Sequence, residues 1–136
     1  MIQHICVTLV PLFNYLSEDE QIKINRLAQH KQFKKNEIVF RPGDENLDIV
    51  ALGSMKVFQL STNGDEQLLR VVEPGGYEGE NQLFGIKNES LFGETLETTE
   101  ICRLSKQAFD QVMLRNPKIA LKLFDSSGEA GPYFIY

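Results

Sequence analysis

At 136 residues the chain is long enough for one domain with a real core, and 42% hydrophobic against 24% charged residues is the balance of a globular protein. A net charge of -5 is a poor match to a polyanion and argues against a strong grip on DNA by these residues alone. Two cysteines, Cys6 and Cys102, are too few for a disulfide scaffold; the apolar run from Ile5 to Phe13 is too short for a bilayer span and has no basic stretch before it, so the cytoplasm is the expected compartment.

The first predicted element is a helix. Ser17 and Glu20 have the spacing of a capping box, and Ile24, Leu27 and Ala28 then fall on one face. His30 is expected on the solvated side of that helix, and the basic run Lys31–Lys35 on the surface. From Lys35 to Leu104 the signals are strands and turns. Glu37–Phe40 is β-prone and Arg41–Asp44 is a turn. Asp48–Leu52 and Met55–Leu60 flank Gly53. Asn63-Gly64 joins Met55–Ser61 to Glu66–Glu73 as a hairpin. Pro74-Gly75-Gly76 turns the chain again, and Leu91–Leu96 and Glu100–Leu104 are the last strands. Turn signals about every ten residues predict a sandwich or barrel. Helix returns after the N-cap Ser105, with Phe109, Val112 and Met113 on one face, and restarts at Pro117. Asp125–Gly128 is expected to break it, and the tail Glu129–Tyr136 has no helical period.

The stretches LFNYLSEDE, FRPGDE, ALGSMKVF, NGDEQLL, VEPGGYEGENQLFG and EICRLSKQAFDQVMLRNP occur in this order between Leu12 and about Phe124. In that order and spacing the chain resembles the N-terminal effector domain of the CRP/FNR family of bacterial transcription regulators. The resemblance implies a mainly β fold, a double-stranded β-helix (a jelly-roll-like barrel) with flanking helices, whose closure removes sheet edges. It divides the chain into an N-terminal segment, residues 1–16, a cyclic-nucleotide-binding-like body, residues 17–116, and the start of a dimerisation helix with a tail, residues 117–136. The family's helix-turn-helix domain has no counterpart here. The loss of period at Asp125 reads as truncation of the dimer helix.

Gly76–Glu97 resembles the phosphate-binding cassette of such domains. By that match Gly79 and Glu80 hold the turn and ribose positions, Asn81 and Gln82 follow in the pocket, and Glu89-Ser90 stands where the family has Arg-Ser or Arg-Thr. The arginine would neutralise the phosphate. Between Tyr77 and Glu100 the one basic residue is Lys87, against six acidic ones, so cyclic AMP is not the expected ligand. Glu89→Arg is the change that would supply the missing cation. A neutral or cationic small molecule in the same cavity stays open, as does a purely structural role for Gly79 and Gly85.

In the FNR branch, cysteines in the regions of Cys6 and Cys102 carry an iron–sulfur cluster. Such a cluster needs four thiolates, so none is expected here. The resemblance brings the two regions together and implies a dithiol–disulfide switch between Cys6 and Cys102; two inert buried thiols are the alternative. His4 with Cys6 offers two metal ligands, and two are not a site. Acidic residues around Asp44–Asp48 and Asp65–Glu66 read as turn residues, not paired catalytic acids. An enzyme on a cupin-like barrel would need a His/Glu cluster inside it, and both histidines precede the predicted strands. The expected function is therefore the sensory domain of a transcription regulator, homodimeric when complete and reaching promoter DNA only through the missing helix-turn-helix domain, with no cofactor and no membrane. The rival is a stand-alone small-ligand module without DNA contact.

Overall fold

The computed structural model describes residues 6–130, with side chains as far as Leu123; His4, Ile5 and the tail residues 131–136 lie outside them. Two 3-10 helices, Cys6–Leu9 and Pro11–Tyr15, lead into α1, Glu18–Asn25. The capping box forms as expected: the Glu20 N–H donates to Ser17 Oγ at 3.2 Å and the Ser17 N–H donates to Glu20 Oε1 at 2.9 Å. Eight strands follow: β1 (Gln29–Phe33), β2 (Ile38–Phe40), β3 (Asn46–Leu52), β4 (Met55–Leu60), β5 (Glu66–Val72), β6 (Tyr77–Glu78), β7 (Phe92–Thr95) and β8 (Thr99–Ser105). A 3-10 helix, Glu80–Phe84, lies between β6 and β7, and α2 (Lys106–Arg115) and α3 (Pro117–Ala130) end the described chain.

The strands form two antiparallel four-stranded sheets, ordered β1-β8-β3-β6 and β2-β7-β4-β5. Their facing sides bury Val39, Phe40, Val50, Met55, Val57, Val72 and Ile101. The first sheet is buried on its other side too. There Leu47, Ile49, Cys102 and Leu104 pack under Phe13, Ile24, Phe109, Val112, Ile119 and Leu123 from the helical segments. Successive side chains on a strand point to opposite faces, so β3 sends Leu47 and Ile49 to the helices and Val50 to the other sheet. A strand covered on both faces shows no alternation to a reader of sequence.

The architecture is the expected jelly-roll type, with four local corrections. The sheets stay open instead of closing: β2 and β6 are short edges, and β1 is a polar edge bearing Lys31, which are the usual ways of blunting an edge strand. Residues 29–33 are strand β1, so His30 stands in a sheet and not on a helix. That strand carries no hydrophobic alternation because its faces are largely exposed. Asp48 is no turn residue: it is 1% exposed, inside β3. Finally, α3 runs through Asp125–Gly128 to Ala130. Ser and Gly cost only about 0.5–1 kcal/mol each in a helix interior, less than a helix docked through the buried Ile119 and Leu123 gains. Among the described residues no helix is long and apolar enough to cross a membrane.

Candidate functional site

A cavity of about 480 Å³ opens between β5, β6, the Glu80–Phe84 helix and the loop from Ile86 to Leu91. Gly79 starts that helix with φ +104°, in the left-handed region. A Cβ there would lie 2.0 Å from the Asn46 carbonyl oxygen, so only glycine fits both the torsion and the close approach of β3. Gly85 ends the helix with φ +90°. The turn is thus dictated by the packing of the cassette on β3, whatever the cavity holds.

Glu80, Asn81, Glu89 and Ser90 line the cavity, as the cassette match implies. Gln82 lines it too but is buried, and its side-chain oxygen accepts from the Asn46 N–H at 3.2 Å; it anchors the cassette to β3. The backbone donors that matter most are already engaged. Asn88, itself buried, accepts from the Ser90 N–H at 3.3 Å and the Leu91 N–H at 2.8 Å through Oδ1, while its Nδ2 donates to the Leu91 and Arg41 carbonyls. The Ser90 hydroxyl accepts from Gln59 Nε2 at 2.8 Å. An anion at the Glu89–Leu91 turn would have to displace these bonds.

The cavity does contain an arginine, one that a search confined to the cassette misses. Arg70 reaches in from β5 and forms an ion pair with Glu78 while its Nη2 donates to the Tyr77 carbonyl at 3.2 Å. The signal in the sequence was its position on the strand directly before the cassette. Its charge is matched by Glu78, leaving Lys87 against Glu80 and Glu89. Burial pushes the Glu80 carboxyl up, and burial followed by the Glu80 charge pushes the Tyr77 phenol up. Unit like charges about 4 Å apart repel by roughly 4 kcal/mol at an effective dielectric of 20, which is the scale on which an ionised Glu80 or Glu89 would act on an anion in the cavity.

A second cluster lies on the opposite side of the first sheet. Cys6 begins the first 3-10 helix and Cys102 sits in β8; both are buried thiols that no disulfide joins. Their sulfurs and a ring nitrogen of His30 all lie within 4.8 Å of one another. A hydrogen bond from Cys102 pulls the Cys6 thiol down, against its burial, while that same bond, burial and the charges of Cys6 and Asp48 push Cys102 up. Of the pair, Cys6 is thus the more acidic thiol. Cys102 faces the helical segments, not the space between the sheets.

The sequence profile of the cyclic nucleotide-binding domain matches residues 30–116, from β1 to the end of α2. This chain belongs to the cyclic nucleotide-binding domain family. It is 40% identical over 121 residues to the probable transcriptional regulator flp of Lacticaseibacillus casei, which covers 88% of this chain and 55% of that protein. It is 31% identical over 107 residues to the regulatory protein HlyX of Actinobacillus pleuropneumoniae, covering 76% of this chain and 44% of the relative. The chain thus spans about half the length of these curated relatives. Among solved structures, the N-terminal domain of a transcriptional regulator from Streptomyces coelicolor A3(2) shares the fold with a TM-score of 0.78 at 23% identity, over 88% of this chain and 85% of that one. The sensor domain of the regulator DNR from Pseudomonas aeruginosa does so with a TM-score of 0.71 at 21% identity, over 91% and 87%.

Proposed function

We propose that this chain is the non-enzymatic effector domain of a CRP/FNR-type transcription regulator, responding to thiol oxidation and not to cyclic AMP. Its relatives named as transcription regulators support the first part. The observation that carries the second is the Cys6–Cys102 pair: two buried sulfurs from distant parts of the chain, one acidified by the other. A peroxide would be attacked by the Cys6 thiolate, giving a sulfenic acid and one water. Cys102 then displaces the second water as the S–S bond forms, so two thiols and one peroxide yield one disulfide and two waters. The bond would pin the Cys6–Leu9 helix to β8.

That helix packs in the same core as Ile119 and Leu123 of α3. In a complete regulator α3 would continue as the dimerisation helix, so a change in how the N-terminal helix seats would bias the dimer between DNA-competent and DNA-incompetent states. DNA contact would belong to a helix-turn-helix domain beyond these residues, and the compartment would be the cytoplasm. Intact mass before and after peroxide, then after a dithiol reductant, tests the reading. The expected result is a reversible loss of two hydrogens that Cys6→Ser and Cys102→Ser each abolish; oxidation that leaves both thiols free to alkylate would refute it. The cavity beside Arg70 favours one further reading, a neutral or cationic small ligand in a module without DNA contact. Native mass spectrometry of protein purified without denaturation separates the two, because only the second predicts a co-purified molecule.

A further inference from the structure

The fold places a third ligating group against the cysteine pair. His30 and Cys102 are direct cross-strand partners in the β1–β8 register, so their side chains stand on the same face of the sheet, side by side. Cys6 approaches that face from the helical side. Three elements that are far apart in sequence therefore converge two sulfurs and one imidazole nitrogen within 4.8 Å. We propose that Cys6, His30 and Cys102 form a binding site for a soft divalent cation of the zinc type.

The donor set decides the class of ion. Thiolate and imidazole suit zinc, whereas calcium and magnesium require several oxygen ligands, and none of the three groups supplies one. Tetrahedral zinc, with bonds of about 2.3 Å to sulfur and 2.0–2.1 Å to nitrogen, holds its ligands roughly 3.4–3.8 Å apart. From separations of up to 4.8 Å, the three atoms reach that spacing with a contraction of about 1–1.4 Å at most. Two thiolates balance the charge of a divalent ion, so the complete site is neutral. That makes it tolerable in a place where both sulfurs are almost fully buried and where a lone ion would be costly. His30, exposed on the edge strand, is the one ligand of the three that stands at the surface.

This proposal does not depend on the disulfide reading, although both use the same sulfurs: a bound ion would shield the thiols, and a disulfide would remove two of the three ligands. The experiment is a titration of the reduced 136-residue chain with zinc in competition with a chromophoric chelator, together with cobalt(II) as a spectroscopic stand-in. One equivalent is expected to bind, and cobalt should give thiolate-to-metal charge-transfer bands with the strong visible absorption of a tetrahedral ion. Removing even an outer partner of a metal ligand typically weakens affinity 10–100-fold. Cys6→Ser and Cys102→Ser should therefore cost at least about 100-fold and abolish the charge-transfer band. His30→Asn is the decisive variant, because that side chain is exposed and its replacement leaves the core intact. It should weaken zinc by about 10-fold or more while leaving the peroxide-driven mass change of the thiols in place. No stoichiometric binding, or binding that His30→Asn leaves unchanged, overturns the proposal.

Discussion

Asp48 and Arg103 face each other across adjacent strands, with Arg103 Nε donating to Asp48 Oδ1 at 2.6 Å inside the sandwich. The Arg103 Nη2 also donates to the Val39 carbonyl at 2.6 Å, so one guanidinium joins β8 and β3 of the first sheet to β2 of the second. Burial pushes the Asp48 carboxyl from 3.8 up to about 6, although Arg103 pulls it back. In the folded state Asp48 therefore holds its proton in a range where the unfolded chain has already released it. Between those two values the folded state binds more protons, so this group's contribution to stability falls as pH rises and is fully lost above pH 6. Comparing wild type with Asp48→Asn by urea denaturation isolates the effect. The advantage of wild type over the variant should shrink by about 1 kcal/mol between pH 5 and pH 7. A constant difference, or one that grows with pH, would contradict the assignment.

The cassette geometry predicts that calorimetric titration with cyclic AMP or cyclic GMP gives no saturable heat at micromolar concentrations. The sequence alone singles out Glu89→Arg as the repair. The structure makes that change insufficient, because Asn88 Oδ1 still occupies the Ser90 and Leu91 amides and the new guanidinium enters beside Arg70. Micromolar binding by the wild type or by Glu89→Arg would show that these amides are free to reach a phosphate. Asn88→Ala should cost about 1–3 kcal/mol of stability, since it leaves several buried loop groups unpaired.

Much of this was legible in the sequence, and the misses have physical causes. The Ser17–Glu20 capping box, the Asn63-Gly64 turn and the Ser105 N-cap are local chemistry, and each forms where it was read. Strand β1 was missed because a polar edge strand has no hydrophobic period. That one omission hid His30 from the cysteine cluster, since register, not sequence spacing, puts it opposite Cys102. Arg70 was missed for the same kind of reason: the cavity wall comes from a neighbouring strand, outside the motif that names the pocket. Asp48 begins the expected strand Asp48–Leu52 and yet groups with the turn acids near it, because only the tertiary fold reveals that this strand is covered on both faces. The end of α3 was misjudged because loss of side-chain periodicity does not stop a backbone already propagating as helix.

Gly79 gives a test of the frame that is independent of any ligand. Its left-handed torsion costs a side chain about 1–2 kcal/mol, and a Cβ would overlap the Asn46 carbonyl, a backbone atom held in β3. Gly79→Ala is expected to destabilise the domain by about 3 kcal/mol or more, because the strain and the steric overlap add. Gly43 has a similar positive φ with open space around it, so Gly43→Ala should cost only the torsional part. Urea denaturation of the two variants checks this, and equal losses would mean that the contact with Asn46 relaxes freely.

The disulfide makes the strongest demand on the molecule. Closing Cys6 to Cys102 would enclose a loop of roughly a hundred residues, for which the chain-entropy model gives up to about 4–5 kcal/mol, less any strain. The oxidised domain should therefore be the more stable form in urea, by about 2–4 kcal/mol. The reaction should also be slow, because Cys6 is 2% exposed and Cys102 is fully buried, so the N-terminal helix must lift before an oxidant can reach them. Loosening that helix ought to speed it. Phe13 is buried, packs edge-on against Phe109 with ring centroids 6.5 Å apart, and lies in the second 3-10 helix directly after Cys6–Leu9. Phe13→Leu should weaken this seat and raise the rate of peroxide-driven disulfide formation several-fold, while leaving the final extent unchanged. Quenched alkylation followed by intact mass measures both. An unchanged rate would mean that oxidant reaches the sulfurs by another route, and an oxidised form less stable than the reduced one would mean that strain outweighs the entropy of the closed loop.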